Sequence, residues 1–195
     1  ILVHKLNAFY WKPVQCGKDK GLTDSEMVKK TLALDEKRIL KEVFLLKSPI
    51  SPNLAAEEEK KKICLNDFKI DFFKKNFPLI VEGAGGILVP INENEYVVDI
   101  IKQIKLPVIL VASTKLGTIN HTLLSIESLN NRKIEIYGII FIGDENKGTV
   151  RTIENFFQKI TQKKISLLAR IPFLQTINLE TLKQASELIS IKNER

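Results

Sequence analysis

Val81-Glu82-Gly83-Ala84-Gly85-Gly86 closes a short apolar run, Leu79 to Val81, with a carboxylate and a glycine-rich turn. An apolar run bounded by glycine reads as a buried strand reaching its carboxyl end. In open α/β sheets, ligands bind at those carboxyl ends. Glycine lets backbone N–H groups approach a ligand with no Cβ in the way. Two readings fit the stretch. Either Glu82 holds a metal ion while Gly83 to Gly86 border a phosphate, or this is an ordinary strand-end turn.

Outward from this stretch, strand and helix patterns alternate. Asn7 to Trp11 is aromatic and β-prone. Val43 to Leu46 is a short apolar run, and Ser48 to Pro52 is a loop with two prolines. Glu57 to Asn76 is lysine-rich, with Leu65, Phe68 and Phe72 at the spacing of one helical face. Val97 to Ile101 has helical or mixed character. Pro107 to Ala112 suits a central parallel strand, and the helix after it places Ile119, Leu123 and Ile126 on one face, with Thr118 as a candidate cap. Ile136 to Ile142 is a strand closed by Gly143-Asp144. Thr152 to Ile160 is a helix, and Ser166 to Ile171 a strand ending at Pro172-Phe173-Leu174. Thr181 to Ile191 is a last helix, with Leu182, Ala185, Leu188 and Ile189 inward. The expectation is one α/β domain over residues 1–195, a mostly parallel sheet in three layers with flanking helices.

The bulk numbers exclude several classes. The chain has 195 residues, 44% hydrophobic and 27% charged, which is globular rather than disordered. The net charge is +7, but lysines alternate with acids, as in Glu57 to Lys62. That pattern fits a solvated surface better than a nucleic-acid face. No apolar run approaches the ~20 residues that span a membrane, and no signal-peptide pattern occurs. Cys16 and Cys64 form no metal motif, so a reducing, cytoplasmic setting is expected. The chain opens Ile1-Leu2-Val3-His4-Lys5-Leu6, without Met, and reads as the tail of an amphipathic helix already under way.

Three further elements carry candidate chemistry. Lys12 ends the Asn7–Trp11 strand and is followed by Pro13 and a turn at Gly17, so it reaches the edge that Glu82 would reach; the plain alternative is a solvated lysine. Thr23 and Glu26 have capping-box spacing, which puts Asp24 in a first helical turn. A carboxylate there suits the helix dipole, or it serves a metal or a water. Ser113 to His121 is a polar loop opening a helix after a buried strand: either an anion site, since free N–H groups and the dipole point at it, or a plain connection.

Tyr10-Trp11-Lys12-Pro13-Val14-Gln15, Ser51-Pro52, Glu82-Gly83-Ala84-Gly85-Gly86 with Val89-Pro90, and Leu116-Gly117-Thr118-Ile119-Asn120-His121 together resemble the dethiobiotin synthetase family. They stand in that family's order, and the resemblance covers essentially the whole chain. It implies a P-loop NTPase-like fold and an ATP- and Mg²⁺-dependent ligase of biotin biosynthesis, a cytoplasmic homodimer. In it, 7,8-diaminopelargonate takes up CO2 as a carbamate, ATP phosphorylates the carbamate, and the second amine closes the ureido ring. By resemblance, Lys12 is the catalytic lysine, and Asp24 and Glu82 are the carboxylates at Mg²⁺ and the phosphates. Gly83, Ala84 and Gly85 border the nucleotide, as do Gly143 and Asp144, with Pro172, Phe173 and Leu174 on the adenine side. Cys16 lies near the substrate, and the loop with Leu116, Gly117, Thr118 and Asn120 is similar to the element that receives the substrate's carboxylate at a helix N-terminus, across a homodimer interface.

The match also has departures. The family begins with a strand and a P-loop, and no G-x-x-x-x-G-K-[ST] occurs in these residues. The expectation is that the first strand is missing, roughly 20 residues, and that this exact chain is inactive while a full-length parent is active. Cys16 replaces a hydroxyl residue, Asn53 a common His, and Gly143 an Asn that reads the purine in many members. Other readings are a non-enzymatic dimerising remnant, the nucleotide-binding part of an amidotransferase-type synthetase and, last, a basic RNA-binding protein.

Overall fold

In the computed structural model, which describes residues 1–69 and 78–191, every strand ladder among the described residues is parallel. This matches the α/β expectation. The chain forms two compact units, Ile1–Ile104 with Asn178–Leu182, and Lys105–Ile177 with Lys183–Arg195.

The first unit is built on β1 (Phe9–Trp11). It lies between β3 (Ile39–Leu40) and β5 (Leu79–Val81), with Tyr10 opposite Ile80 and Trp11 opposite Val81. Both faces of β1 are covered. Tyr10 packs with Val3 and Leu32, and Trp11 with Val14, Leu46 and Phe68. A strand covered on both sides carries bulky residues at successive positions instead of alternating with polar ones. After Lys12-Pro13 the chain does not simply turn. It resumes as β2 (Val14–Cys16), paired with β4 (Phe44–Leu46). Proline has no N–H to give a ladder, so pairing breaks there, while the Pro13 carbonyl accepts from the Val43 and Phe44 N–H groups.

Helices α1 (Leu2–Lys5), α2 (Asp24–Leu32), α3 (Pro52–Glu58) and α4 (Val97–Ile104) complete this unit. The helix expected from Glu57 to Asn76 is not formed as read. Helix α3 stops at Glu58, Lys60 takes a left-handed φ of 53°, and the Lys61 N–H returns to the Ala56 carbonyl. A left-handed residue ends a helix by turning the next N–H groups back onto its last carbonyls. Leu65–Asp67 then forms a single tight turn, which delivers Phe68 to the core, where it is 1% exposed and tilted against Phe44. Phe72 lies outside the described residues.

The second unit is a sheet in the order β6-β7-β8, with β6 (Val108–Ser113), β7 (Ile136–Ile142) and β8 (Leu167–Ile171). Helices α5 (Thr118–Asn131) and α6 (Lys147–Thr161) are tied by the Asn130 amide, which donates to the Ile160 carbonyl. The expected inward face of α5 is rotated. Thr118, Thr122, Ile126 and Leu129 are buried, and Ile119 is exposed. The last helix, α7 (Leu179–Glu187), begins in the first unit and ends in the second. It stops short of Ile191. Leu188 is exposed, while Ala185 and Ile189 are buried. No helix among the described residues is long and apolar enough to cross a membrane.

Phe68 follows a turn rather than sitting in a helix, and its packing anchors that segment together with the Gln103 amide, which donates to the Leu65 and Phe68 carbonyls at 2.7 and 2.8 Å. Phe68→Ala should destabilise the protein by about 3–5 kcal/mol, measured as a lower midpoint in urea denaturation.

Candidate active site

Parallel register brings the first two site residues together. Because Trp11 pairs with Val81, the next residues along, Lys12 and Glu82, leave the sheet at the same strand ends; the Glu82 N–H still donates to the Trp11 carbonyl at 2.9 Å. Lys12 Nζ donates to Glu82 Oε1 at 2.8 Å. It also pairs with Asp24 Oδ2. Asp24 arrives from the start of α2, whose cap is the expected capping box: the Glu26 N–H donates to Thr23 Oγ1 at 3.1 Å and the Thr23 N–H to Glu26 Oε2 at 2.7 Å. Gln15, 4% exposed, ties this helix start to the strand. Its Oε1 accepts from the Asp24 N–H at 3.1 Å and its Nε2 donates to the Gly17 carbonyl at 3.0 Å.

The electrostatics follow from burial. The Lys12 side chain is 9% exposed, whereas those of Asp24 and Glu82 are 33% and 48% exposed. Burial alone would pull the Lys12 ammonium down, but its hydrogen bonds to Asp24 and Glu82 and their charges outweigh this and raise its pKa above the usual lysine value. Lys12 is therefore a fixed cation, sheltered behind two carboxylates that still meet solvent. Cys16 is half-buried at the end of β2. Burial pushes its thiol up, Lys12 opposes this and Glu59 adds to it, so it stays a neutral thiol. Ala84 packs against the core, while Gly83 and Gly85 are open. Gly85 has a φ of 78°, and a Cβ there would press on Val89 at 3.1 Å, so this turn needs glycine.

The second unit gathers its own loops at the carboxyl ends of its strands. The Thr114 N–H donates to the Ile142 carbonyl, and the Gly143 N–H to the Ile171 carbonyl. Arg170 Nη1 donates to the Gly143 carbonyl at 3.2 Å. Lys115 Nζ lies 5.3 Å from the centre of the Phe173 ring, and Pro172 and Asp144 are exposed. The polar loop opens α5 as expected, with one correction. Gly117, not Thr118, is the cap, and it supplies no side-chain acceptor; Thr118 Oγ1 turns inward, 3.3 Å from Thr122 Oγ1. Leu116 and Asn120 are exposed.

A sequence-family profile described as an AAA domain matches residues 1–181. The ATP-dependent dethiobiotin synthetase BioD of Agrobacterium fabrum is 40% identical over 184 residues, covering 94% of this chain and 82% of that protein. Proteins of the same name from Nitrobacter hamburgensis and Brucella melitensis are each 39% identical, covering 94% and 93% of the chain and 82% and 81% of those proteins. The chain belongs to the dethiobiotin synthetase family. Members of this family are ATP-dependent ligases.

A dethiobiotin synthetase with Mg²⁺ needs hard oxygen ligands, and the donor set here fits one kind of Mg²⁺ site. Among the described residues no group of three or more His, Cys, Asp or Glu is gathered that could hold a metal ion. Asp24 and Glu82 are gathered, however, by their common partner Lys12. Two carboxylates suit an ion whose remaining ligands are phosphate oxygens and water.

Two polar contacts were missed in the sequence. One is Gln15 behind Asp24. The other is Tyr10, whose hydroxyl donates to Glu82 Oε2 at 2.8 Å. The signal for Tyr10 was its spacing, since residues two apart on an extended chain share a face and Tyr10 stands two before Lys12. Gly143 also gains a structural reason. Its φ is 127°, and a Cβ there would run into the Thr114 hydroxyl and approach Phe173 at 3.2 Å. Restoring a side chain is therefore costly: Gly143→Asn should destabilise by about 1–3 kcal/mol, and adding Thr114→Ala should recover part of that loss in thermal melts.

Proposed function

We propose that the protein carrying this chain makes dethiobiotin from 7,8-diaminopelargonate, CO2 and ATP, with Mg²⁺, as a cytoplasmic homodimer. The observation that carries the reading is the Lys12 ammonium, sheltered between Asp24 and Glu82 at the carboxyl ends of β1 and β5. Family membership supplies the reaction class.

In that reaction one substrate amine adds to CO2 and loses a proton, giving a carbamate. The γ-phosphoryl group of ATP passes to a carbamate oxygen, releasing ADP. The second amine attacks the carbamoyl carbon, expels phosphate and closes the ring. Phosphoryl transfer of this kind asks a protein for positioning and charge stabilisation rather than for a covalent partner. Lys12 meets both demands. It is permanently charged, and its position is set from two sides. Its role is to hold the carbamate anion and then to stabilise the charge on the phosphoryl group in transit. Asp24 and Glu82 keep that cation in place and, as part-exposed carboxylates, would offer their remaining lone pairs to Mg²⁺. The ion, when bound, neutralises phosphate charge. Gly83, Ala84 and Gly85 leave room for phosphate beside Glu82.

Across the homodimer interface, Leu116, Gly117, Thr118 and Asn120 receive the substrate's carboxylate at the start of α5, where helix N–H groups and the dipole favour an anion. Cys16 lines the substrate side as a weak donor. Gly143, Asp144, Pro172, Phe173 and Leu174 border the base. With no side chain at 143 to read it, selection for ATP over other nucleoside triphosphates is relaxed.

Lys12→Ala should lower dethiobiotin formation by about 100-fold or more, while circular dichroism and melting still report a folded protein. Turnover close to that of the unchanged protein would contradict the role given to Lys12. Removing divalent metal with a chelator should abolish product, and added Mg²⁺ should restore it.

A further inference from the structure

Tyr10 carries a buried hydroxyl at the centre of this site, and the chemistry above makes no use of it. The residue is 2% exposed. Its OH donates to Glu82 Oε2 at 2.8 Å while Lys12 Nζ donates to Glu82 Oε1, also at 2.8 Å. The two oxygens of one carboxylate are thus bound by two different donors.

The difference between these donors matters. Glu82 is half-exposed and is followed at once by a glycine turn, so little packing fixes its rotamer. An ammonium is a point charge with rotatable donors, so its bond to one oxygen sets no plane for the carboxylate. A phenol is rigid by comparison. The Tyr10 ring sits on the central strand β1, packed with Val3 and Leu32 and against Val28, Ile39 and Ile80. Facing a carboxylate, which only accepts, the phenol is the donor. Among the described residues that donate to the Glu82 carboxylate, Tyr10 is the one fixed rigidly to the sheet.

We propose that Tyr10 is a positioning residue, holding Glu82 so that Oε1 faces Lys12. Its catalytic consequence rests on the proposed function; the geometric part does not.

The test is Tyr10→Phe, which removes one oxygen and keeps the ring, in the protein carrying this chain. Lysine accessibility is read by brief acetic anhydride labelling and mass spectrometry, with exposed Lys18 as the internal reference. With the melting temperature within a few degrees of the parent, labelling of Lys12 relative to Lys18 should rise about threefold or more, and kcat should fall about tenfold with the KM for the diamine unchanged. An unchanged labelling ratio would overturn the proposal. So would a raised ratio with an unchanged kcat, because Glu82 would then move without consequence. Absence of turnover in the unsubstituted protein would contradict the proposed function alone, and the labelling ratio would still decide whether Tyr10 holds Glu82.

Discussion

A lysine ammonium taken almost wholly out of water must be paired or it loses its charge. The first unit is arranged around meeting that requirement for Lys12. One partner, Glu82, comes from the neighbouring strand through parallel register. The other, Asp24, comes from the first turn of a helix that a capping box starts at that place. Around these groups stand two buried polar side chains, Tyr10 and Gln15, each hydrogen-bonded. Pro13 belongs to the same design. By interrupting the ladder directly after Lys12, it frees the end of β1 and lets the chain re-enter a second pairing at Val14.

Much of this was legible in the sequence. Leu79 to Val81 and Pro107 to Ala112 are apolar runs too short for helices and bounded by turn residues, and they became β5 and the body of β6. The Thr23–Glu26 spacing names its own hydrogen bonds, and both are present. Lys12, Asp24 and Glu82 were singled out, and the fold brings them onto one ammonium. What failed did so for specific reasons. The lysine-rich stretch after Glu57 has helical spacing, but a left-handed turn at Lys60 is a local backbone event that side-chain periodicity does not encode. The face of α5 was misread because its buried stripe includes Thr118 and Thr122, which satisfy each other and so behave as core residues. Gln15 was invisible because a glutamine in a strand has no reason of its own to be buried until its partners are known.

In the second unit, Gly143 is held in place by its neighbours. Gly143 reads as a lost side chain in the sequence. In the structure, the Thr114 hydroxyl and the Phe173 ring leave no space for one, and the backbone takes a φ that favours glycine. The strand ends β6, β7 and β8 hold these three residues in one loop cluster through the Thr114 and Gly143 backbone bonds. A change at any one of them has to be judged with the other two.

On the proposed function, Lys12 and Glu82 act as one unit in an ATP-dependent ligation. A double-mutant cycle on kcat for dethiobiotin formation tests this most directly, comparing Lys12→Ala, Glu82→Gln and the double variant. The account predicts strong non-additivity, with the double variant no slower than the slower single one. Losses that multiply, as for two independent groups, would contradict it.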